Sequence, residues 1–412
     1  MKFSIDTGMC VRLLTIQRSA FSTEWRNKTS VLRVDERLMI RVAPFGMDLV
    51  LSGYYLAAPL LLIEFKANPV QLGLVGSITA AVHMVLAHRM GPLSDRFGRR
   101  RLILLGPLLF TLSCLVAAIA NHIGVILLLS GINGLCLSLF WPSFQAWVAD
   151  HQTEGSLARD IGTMNMAWTA SHLIGPIISG FLFAFHPRFP FFFAATLSFV
   201  LLLLSYRSIY DRPSKMKGKE SIAETPIQPW HKTFLYSAWI ANFMSWFILG
   251  NARYQFPKLA RELGSGPQMV GLLIGCLGFS LFLGFWLLRG SELWYFRRRY
   301  LFGAQALVAL GLLIIYSTSS PMFFALALIL IGLSTSVTYY SSLLYAIRLS
   351  AQKGKGTGYH ESILSIGALA GPILGGLGAH LFNLRIPYLI CLFFLLIAVA
   401  FEITLVRKKE TR

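Results

Sequence analysis

Between residues 39 and 406 the chain alternates long apolar runs with short polar connections. A run of about 20 apolar residues matches the thickness of a bilayer's hydrocarbon core, so each predicts a membrane-spanning helix. The pattern predicts twelve: 39–63, 70–90, 101–120, 123–149, 159–185, 189–206, 232–256, 268–288, 300–316, 322–347, 357–382 and 386–406. Residues 207–231 interrupt the series with Arg207, Arg212, Lys215, Lys217, Lys219, three prolines and no long apolar run. They read as a solvated linker joining a six-helix half at 39–206 to a second at 232–406. The tail 1–38 is basic and without periodicity, and is expected to be disordered. Whether it belongs to the mature protein, with Met39 as the alternative start, stays open. Residues 407–412 form a basic second tail.

Composition agrees with an all-α membrane protein. Hydrophobic residues make up 55% and charged residues 13% of the chain, about half the charge of a soluble domain. The net charge of +19 would suggest nucleic acid in a soluble protein. Here the cations lie in and beside the connections, so the partner is anionic membrane lipid, and no nucleic acid is expected. Of 37 lysines and arginines, 30 fall in the tails and even-numbered connections and 5 in the odd-numbered ones. By the positive-inside rule both termini and the linker lie in the cytoplasm of a multi-pass cell (inner) membrane protein. The five cysteines have no paired spacing, and neither a disulfide, a metal nor a cofactor is expected.

One polar island stands out, Gly91-Pro-Leu-Ser-Asp95-Arg96-Phe-Gly98-Arg99-Arg100-Arg101. A basic loop explains the arginines but not the two glycines and the aspartate at these spacings. Gly91 lets a neighbouring helix approach, and Gly98 can take the positive φ that ends a helix. The stretch resembles the loop between helices 2 and 3 of the major facilitator superfamily, G-x-x-x-D-R-x-G-R-R, at every fixed position. The resemblance implies the twelve-helix fold of that family. It also implies a gate in which Asp95 faces the start of helix 11 near Thr357–His360 in the outward-open state. Arg99 would pair with Asp150 at the end of helix 4, and the contacts would be lost when the cytoplasmic side opens.

Gly162, Gly175, Pro176 and Gly180 of helix 5 recur 196 residues later as Gly358, Gly371, Pro372 and Gly376 of helix 11. The helix 11 copy resembles the glycine–proline motif of drug–proton antiporters in the same superfamily. In helix 5, Ser171 and Ser179 replace two of its glycines. Close helix packing is an equally good account of Gly175, Pro176, Gly371 and Pro372. Near residue 290 the polar island has a decayed second copy that lacks the Asp-Arg pair.

Two repeated halves imply a substrate site between them near the bilayer midplane. Its candidates are Asp48, Ser52 and Tyr55 on one face of helix 1 and Asn242, Trp246 and Arg253 on one face of helix 7. Helix 5 adds His172, helix 2 His83, helix 4 Asn133, and helix 10 the pair Tyr339-Tyr340, of which Tyr340 is the candidate. Burying a charge in lipid costs at least about 2.5 kcal/mol, so Asp48 and Arg253 carry the most weight. Asp48 is a proton carrier or a fixed ionic partner. Glu361, expected in the first turn of helix 11, either couples a proton or offsets the helix dipole.

No phosphate-binding loop and no catalytic constellation appears, so neither ATP nor enzymatic chemistry is expected. The reading is a secondary transporter, expected to be monomeric, that works by alternating access, with proton-coupled efflux of a small molecule first. Proton-coupled uptake of a sugar or organic acid, or a membrane sensor, are the alternatives.

Overall fold

The computed structural model describes residues 36–151, 157–211, 229–289, 294–349 and 353–410. The tail 1–35, the middle of the linker and part of the decayed island fall outside them. Among the described residues there are thirteen helices and no strand. The first half holds α1 (Glu36–Glu64), α2 (Pro69–Phe97), α3 (Arg99–Ile119), α4 (Ile123–His151), α5 (Leu157–Phe185) and α6 (Phe189–Ser208). The second holds α7 (Pro229–Tyr254), a short α8 (Phe256–Glu262), α9 (Pro267–Leu288), α10 (Arg298–Ser317), α11 (Pro321–Leu349), α12 (Lys353–Leu381) and α13 (Ile386–Glu410). Eleven are long and apolar enough to cross a membrane. The remaining long helix, α7, carries Asn242, Asn251 and Arg253, and its buried polar residues fit a lining helix better than a lipid-facing one.

Three boundaries differ from expectation. α2 continues through Gly91 and Pro92 to Phe97, so the polar island is mostly helix and only Gly98 turns. Pro92 costs one backbone bond, and Ser94 Oγ donates to the Gly91 carbonyl at 2.7 Å. Helix 7 breaks at Gln255, whose Nε2 donates to the carbonyls of Pro69 at 3.0 Å and Pro372 at 3.3 Å. α12 begins at Lys353, which places Glu361 in its third turn. The helix dipole acts within the first turn, so the dipole account of Glu361 fails.

The two halves share one pattern of packing. α1 lies on α5 and α6, α2 on α4, and α3 on α4 and α6; α7, α9 and α10 repeat this with α12, α13 and α11. α3, α6, α10 and α13 turn apolar side chains outward, among them Leu112, Phe199, Leu310 and Phe393, as lipid contact demands. The halves meet along α2–α12 and α5–α9. Lipid gives helices little hydrophobic reason to associate, so close backbone approach and hydrogen bonds hold such seams. A Cβ on Gly371 would collide with the Phe247 carbonyl of α7, and one on Gly175 with Ser52 of α1. A Cβ on Gly271 would sit 2.6 Å from the Pro176 carbonyl, and one on Gly73 would strike the Pro372 carbonyl. Each glycine–proline element thus packs on its own half and on the opposite one.

Two arginines in odd-numbered connections have a structural task. Arg188 donates to the Ala118 carbonyl and to Asn121 at the end of α3. Arg385 donates to the carbonyls of Tyr316 and Thr318 at the end of α10, at 2.5 and 2.6 Å. Both satisfy the carbonyls a helix leaves free at its C-terminus.

Among the described residues the close backbone approaches of the α2–α12 seam fall at one end. The close approaches of α2 to α12 involve Pro69, Gly73 and Ser77 on one side and Leu369, Pro372 and Gly376 on the other. All lie away from the end that carries residues 91–101, here the basic end. At the basic end a Cβ on Gly91, Gly162 or Gly358 would meet nothing within 4 Å.

Candidate functional site

At the basic end Arg99 holds two carboxylates, Asp95 at 2.9 Å one turn away and Asp150 at the end of α4. Gly98 takes φ +94°, the left-handed value that lets α2 turn directly into α3. Asp95 is 63% exposed and Arg96 lies over the exposed ring of Phe97. His360 is turned elsewhere: it is buried, bonded to Ser342 Oγ at 2.8 Å and packed edge-on against Tyr339. The Thr357 side chain lies outside the described residues. Arg99 and Asp150 are paired, the pairing that the resemblance implies. Both belong to the first half, so a movement between halves leaves them together.

Sequence reasoning missed Asp211, just past α6. Its carboxylate accepts the Arg100 backbone N–H at 2.9 Å and so caps α3. A Cβ on Gly98 would lie 2.5 Å from that carboxylate. Arg100 also donates to the Tyr206 carbonyl at 2.6 Å and lies over its ring. The start of the linker is therefore tied to the island by contacts that no local spacing encodes.

In the centre, Asp48 is 6% exposed and its Oδ2 has no hydrogen-bond partner. Arg253 sits with its guanidinium 5.5 Å from the ring of Tyr55 and 5.6 Å from that of Trp246. Ser52 Oγ donates to the Ser171 carbonyl at 3.0 Å, joining α1 to α5. His172 is 6% exposed, its Nδ1 is unpartnered, and its ring meets Trp168 at 5.0 Å. Ser52, Tyr55, Leu56, His172, Pro176, Arg253, Ile274 and Leu277 enclose a void of about 20 Å³, room for a water molecule. Asn242 is fully enclosed, with both side-chain polar atoms unpartnered.

The other candidates separate. His83 faces Ser138 of α4 at 3.2 Å. Asn133 is fully buried inside the first half, where it accepts from Ser113 of α3 at 2.8 Å. It is an interhelical bond within that half and does not face the central space. Tyr340 packs on Phe285 and Trp294 at the side of the second half. Its neighbour Tyr339 is central instead, with ring contacts to Trp168, Trp246, Phe285 and His360. Trp168 was missed as well, although it falls three residues after Asn165 and four before His172 on one face of α5.

A shallow cleft of about 410 Å³ is lined by Arg41, Val42, Phe45, Thr163, Met166, Ala167 and Phe282, in the parts of α1, α5 and α9 nearer the basic end. The same three helices, α1, α5 and α9, line both cleft and void. Asp48 on α1 and Trp168 on α5 occupy the intervening turns.

Two bodies of packed spanning helices with the same arrangement, around a polar centre, define a transporter of the alternating-access type. The chain belongs to the Major Facilitator Superfamily, whose family model matches residues 42–292 and 238–412. It is a secondary transporter of small molecules and a multi-pass membrane protein. Multidrug resistance protein 1 of Bacillus subtilis is 24% identical over 367 residues, covering 84% of this chain and 88% of its own. Quinolone resistance protein NorA of Staphylococcus aureus is 23% identical over 353 residues, 82% and 89% of the two chains. A bacterial homologue of the human lysosomal transporter Spinster, inward-facing and unoccupied, superposes with TM-score 0.71 at 15% identity, over 90% of this chain and 96% of that one. The nucleoside transporter NupG superposes with TM-score 0.70 at 11% identity, over 90% and 99%.

Proposed function

We propose that this protein is a proton-coupled exporter of small organic molecules. The observation that carries the direction is its similarity, along more than four-fifths of each chain, to relatives named for multidrug and quinolone resistance. The recurring glycine–proline element supports the same reading. The charge bias supports a cytoplasmic location for both termini and the basic end, with the cleft of α1, α5 and α9 toward that side. The cell membrane is the site of action, with anionic lipid against the basic connections, and the monomer is the working unit.

Asp48 is the proton carrier. It is the buried carboxyl on the inner face of α1, with an oxygen free of protein partners, and it lies between the open cleft and the inner void. Glu361, two turns inside α12, is the second carboxyl available for coupling. Gly91, Asp95, Arg96, Gly98, Arg99 and Asp150 gate the cytoplasmic side: closing brings α12 onto the free face of Gly91 and the exposed carboxylate of Asp95. Asp48, Tyr55, His172, Asn242, Trp246 and Arg253 form the substrate site, and His83 and Tyr340 flank the path to it. The test is uptake of a fluorescent lipophilic dye into inverted membrane vesicles. An imposed inside-acid gradient should drive accumulation, and a collapsed gradient should abolish it; accumulation that ignores the gradient would refute proton coupling.

A further inference from the structure

Around Arg253 the unpartnered polar groups include several able to donate, beside the acceptor oxygens Asp48 Oδ2 and Asn242 Oδ1. The guanidinium lies between two aromatic rings and has no ion-pair partner among the described residues. Trp246 Nε1 on the same face of α7 is buried without an acceptor. Asn242, one turn from Trp246 on that face, has an unpartnered Nδ2 although its residue is fully buried. His172 brings an unpartnered ring nitrogen to the void that Arg253 also lines. A buried donor left without an acceptor costs about 1–3 kcal/mol. Arg253 and His172 at one void, with the Trp246 N–H beside the guanidinium, mark a place where an acceptor arrives from outside the chain.

We infer that the space around Arg253 seats an organic anion, a carboxylate carried on an aromatic ring. A planar guanidinium offers paired N–H groups that match a carboxylate. A single water would satisfy one or two of the donors, whereas a carboxylate has acceptor capacity for Arg253, the Trp246 N–H and His172 together. The ring part of the ligand follows from the lining. Trp246, Tyr339, Trp168 and Phe285 form a connected aromatic wall, with Trp246–Tyr339 centroids at 6.4 Å and Trp168–Tyr339 at 5.8 Å, and Tyr55 lies across the Arg253 guanidinium from it. The void holds no more than a water in this state, so entry requires Trp168 to swing out of its place between cleft and void. The inference rests on the central space being the substrate site.

The test is direct binding to the purified full-length chain in detergent, read by tryptophan fluorescence at fixed pH and ionic strength. The probes are 2-naphthoate, its neutral amide 2-naphthamide, and the cation 2-naphthyltrimethylammonium. Naphthoate should bind about tenfold tighter than the amide, the gain of a charge-assisted pair, and the cation more weakly than either. Arg253→Gln should bring naphthoate within about twofold of the amide, by weakening naphthoate far more than the amide. Should that variant fail to fold, Trp246→Phe removes an N–H and keeps a ring; it should weaken naphthoate about threefold more than the amide. Equal binding of the three probes, preference for the cation, no binding at all, or an anion preference that survives these substitutions would overturn the inference. Binding is read without flux, so a failure to transport would count against the export reading and leave this result standing.

Discussion

Arg99 of α3 and Asp150 of α4 form an ion pair within the first half, which a movement between the halves would leave together. Arg99 also reaches Asp95, which keeps its other side free. The three side chains divide into a fixed brace and an exposed carboxylate available to a moving partner. Asp95→Asn should therefore lower transport at least about tenfold and leave the melting temperature nearly unchanged, because an exposed pair contributes about 0–1 kcal/mol. Asp150→Ala strips a half-buried cation of its brace and should cost more, about 1–3 kcal/mol. Flux in proteoliposomes and thermal melts of both variants check this; full transport by a well-expressed Asp95→Asn protein would refute the gate.

Glycines on the seam and at the gate should behave oppositely. An alanine at Gly371 would put its Cβ into the Phe247 backbone carbonyl, which cannot rotate away. Gly371→Ala should destabilise by about 1–3 kcal/mol and lower expression. Gly91 has open space where a Cβ would go and lies inside a helix, so Gly91→Ala should melt no lower than the parent, and up to about 1 kcal/mol more stable. Its transport should nonetheless fall, because the cytoplasm-closed state needs that space for α12. Unchanged transport by Gly91→Ala would show that α12 does not close there.

Asp48 can be tested by separating exchange from accumulation. Asp48→Asn keeps the shape of the side chain and removes its acid. It should still exchange substrate across the membrane yet fail to concentrate it under an imposed pH gradient. If Asp48 were only a structural ion partner, the same change would lower thermal stability and damage exchange and accumulation together. Unchanged pH-driven accumulation would move the coupling role to Glu361.

The topology has its own measurement. Reporter fusions after residues 220 and 412 should both report a cytoplasmic location, as the 30-to-5 distribution of lysine and arginine requires. An external signal from either fusion would invert the assignment of open and closed ends.

Much of this molecule was legible in one dimension. The number and order of the spans follow from run length, since the bilayer sets a minimum that no shorter helix meets. The repeat offset foretold that Gly175-Pro176 and Gly371-Pro372 would occupy matching places, because both halves use glycine backbone for close approach. Gly98 turns where its position in the island required. Helix-face spacing also brought Asp48, Tyr55, Trp246 and Arg253 to one region, since period and hydrophobicity are local properties.

What only the tertiary structure decided is how those faces meet. Asn133 and Asn242 look alike in sequence, each an amide within a mainly apolar stretch of helix. Asn133 meets Ser113 across a helix pair, whereas Asn242 remains unpartnered, and that difference belongs to the neighbours. Tyr339 and Tyr340 differ by a 100° step around α11, and packing alone sends the first to the centre and the second to the side. Asp211 caps a helix that begins 112 residues earlier, at Arg99. Glu361 left the first turn because α12 starts earlier than hydropathy suggests: polar residues extend a helix as readily as apolar ones once its end has left the membrane. Interhelical partners, caps and the open end arise from contacts between distant segments, and a local pattern carries no information about them.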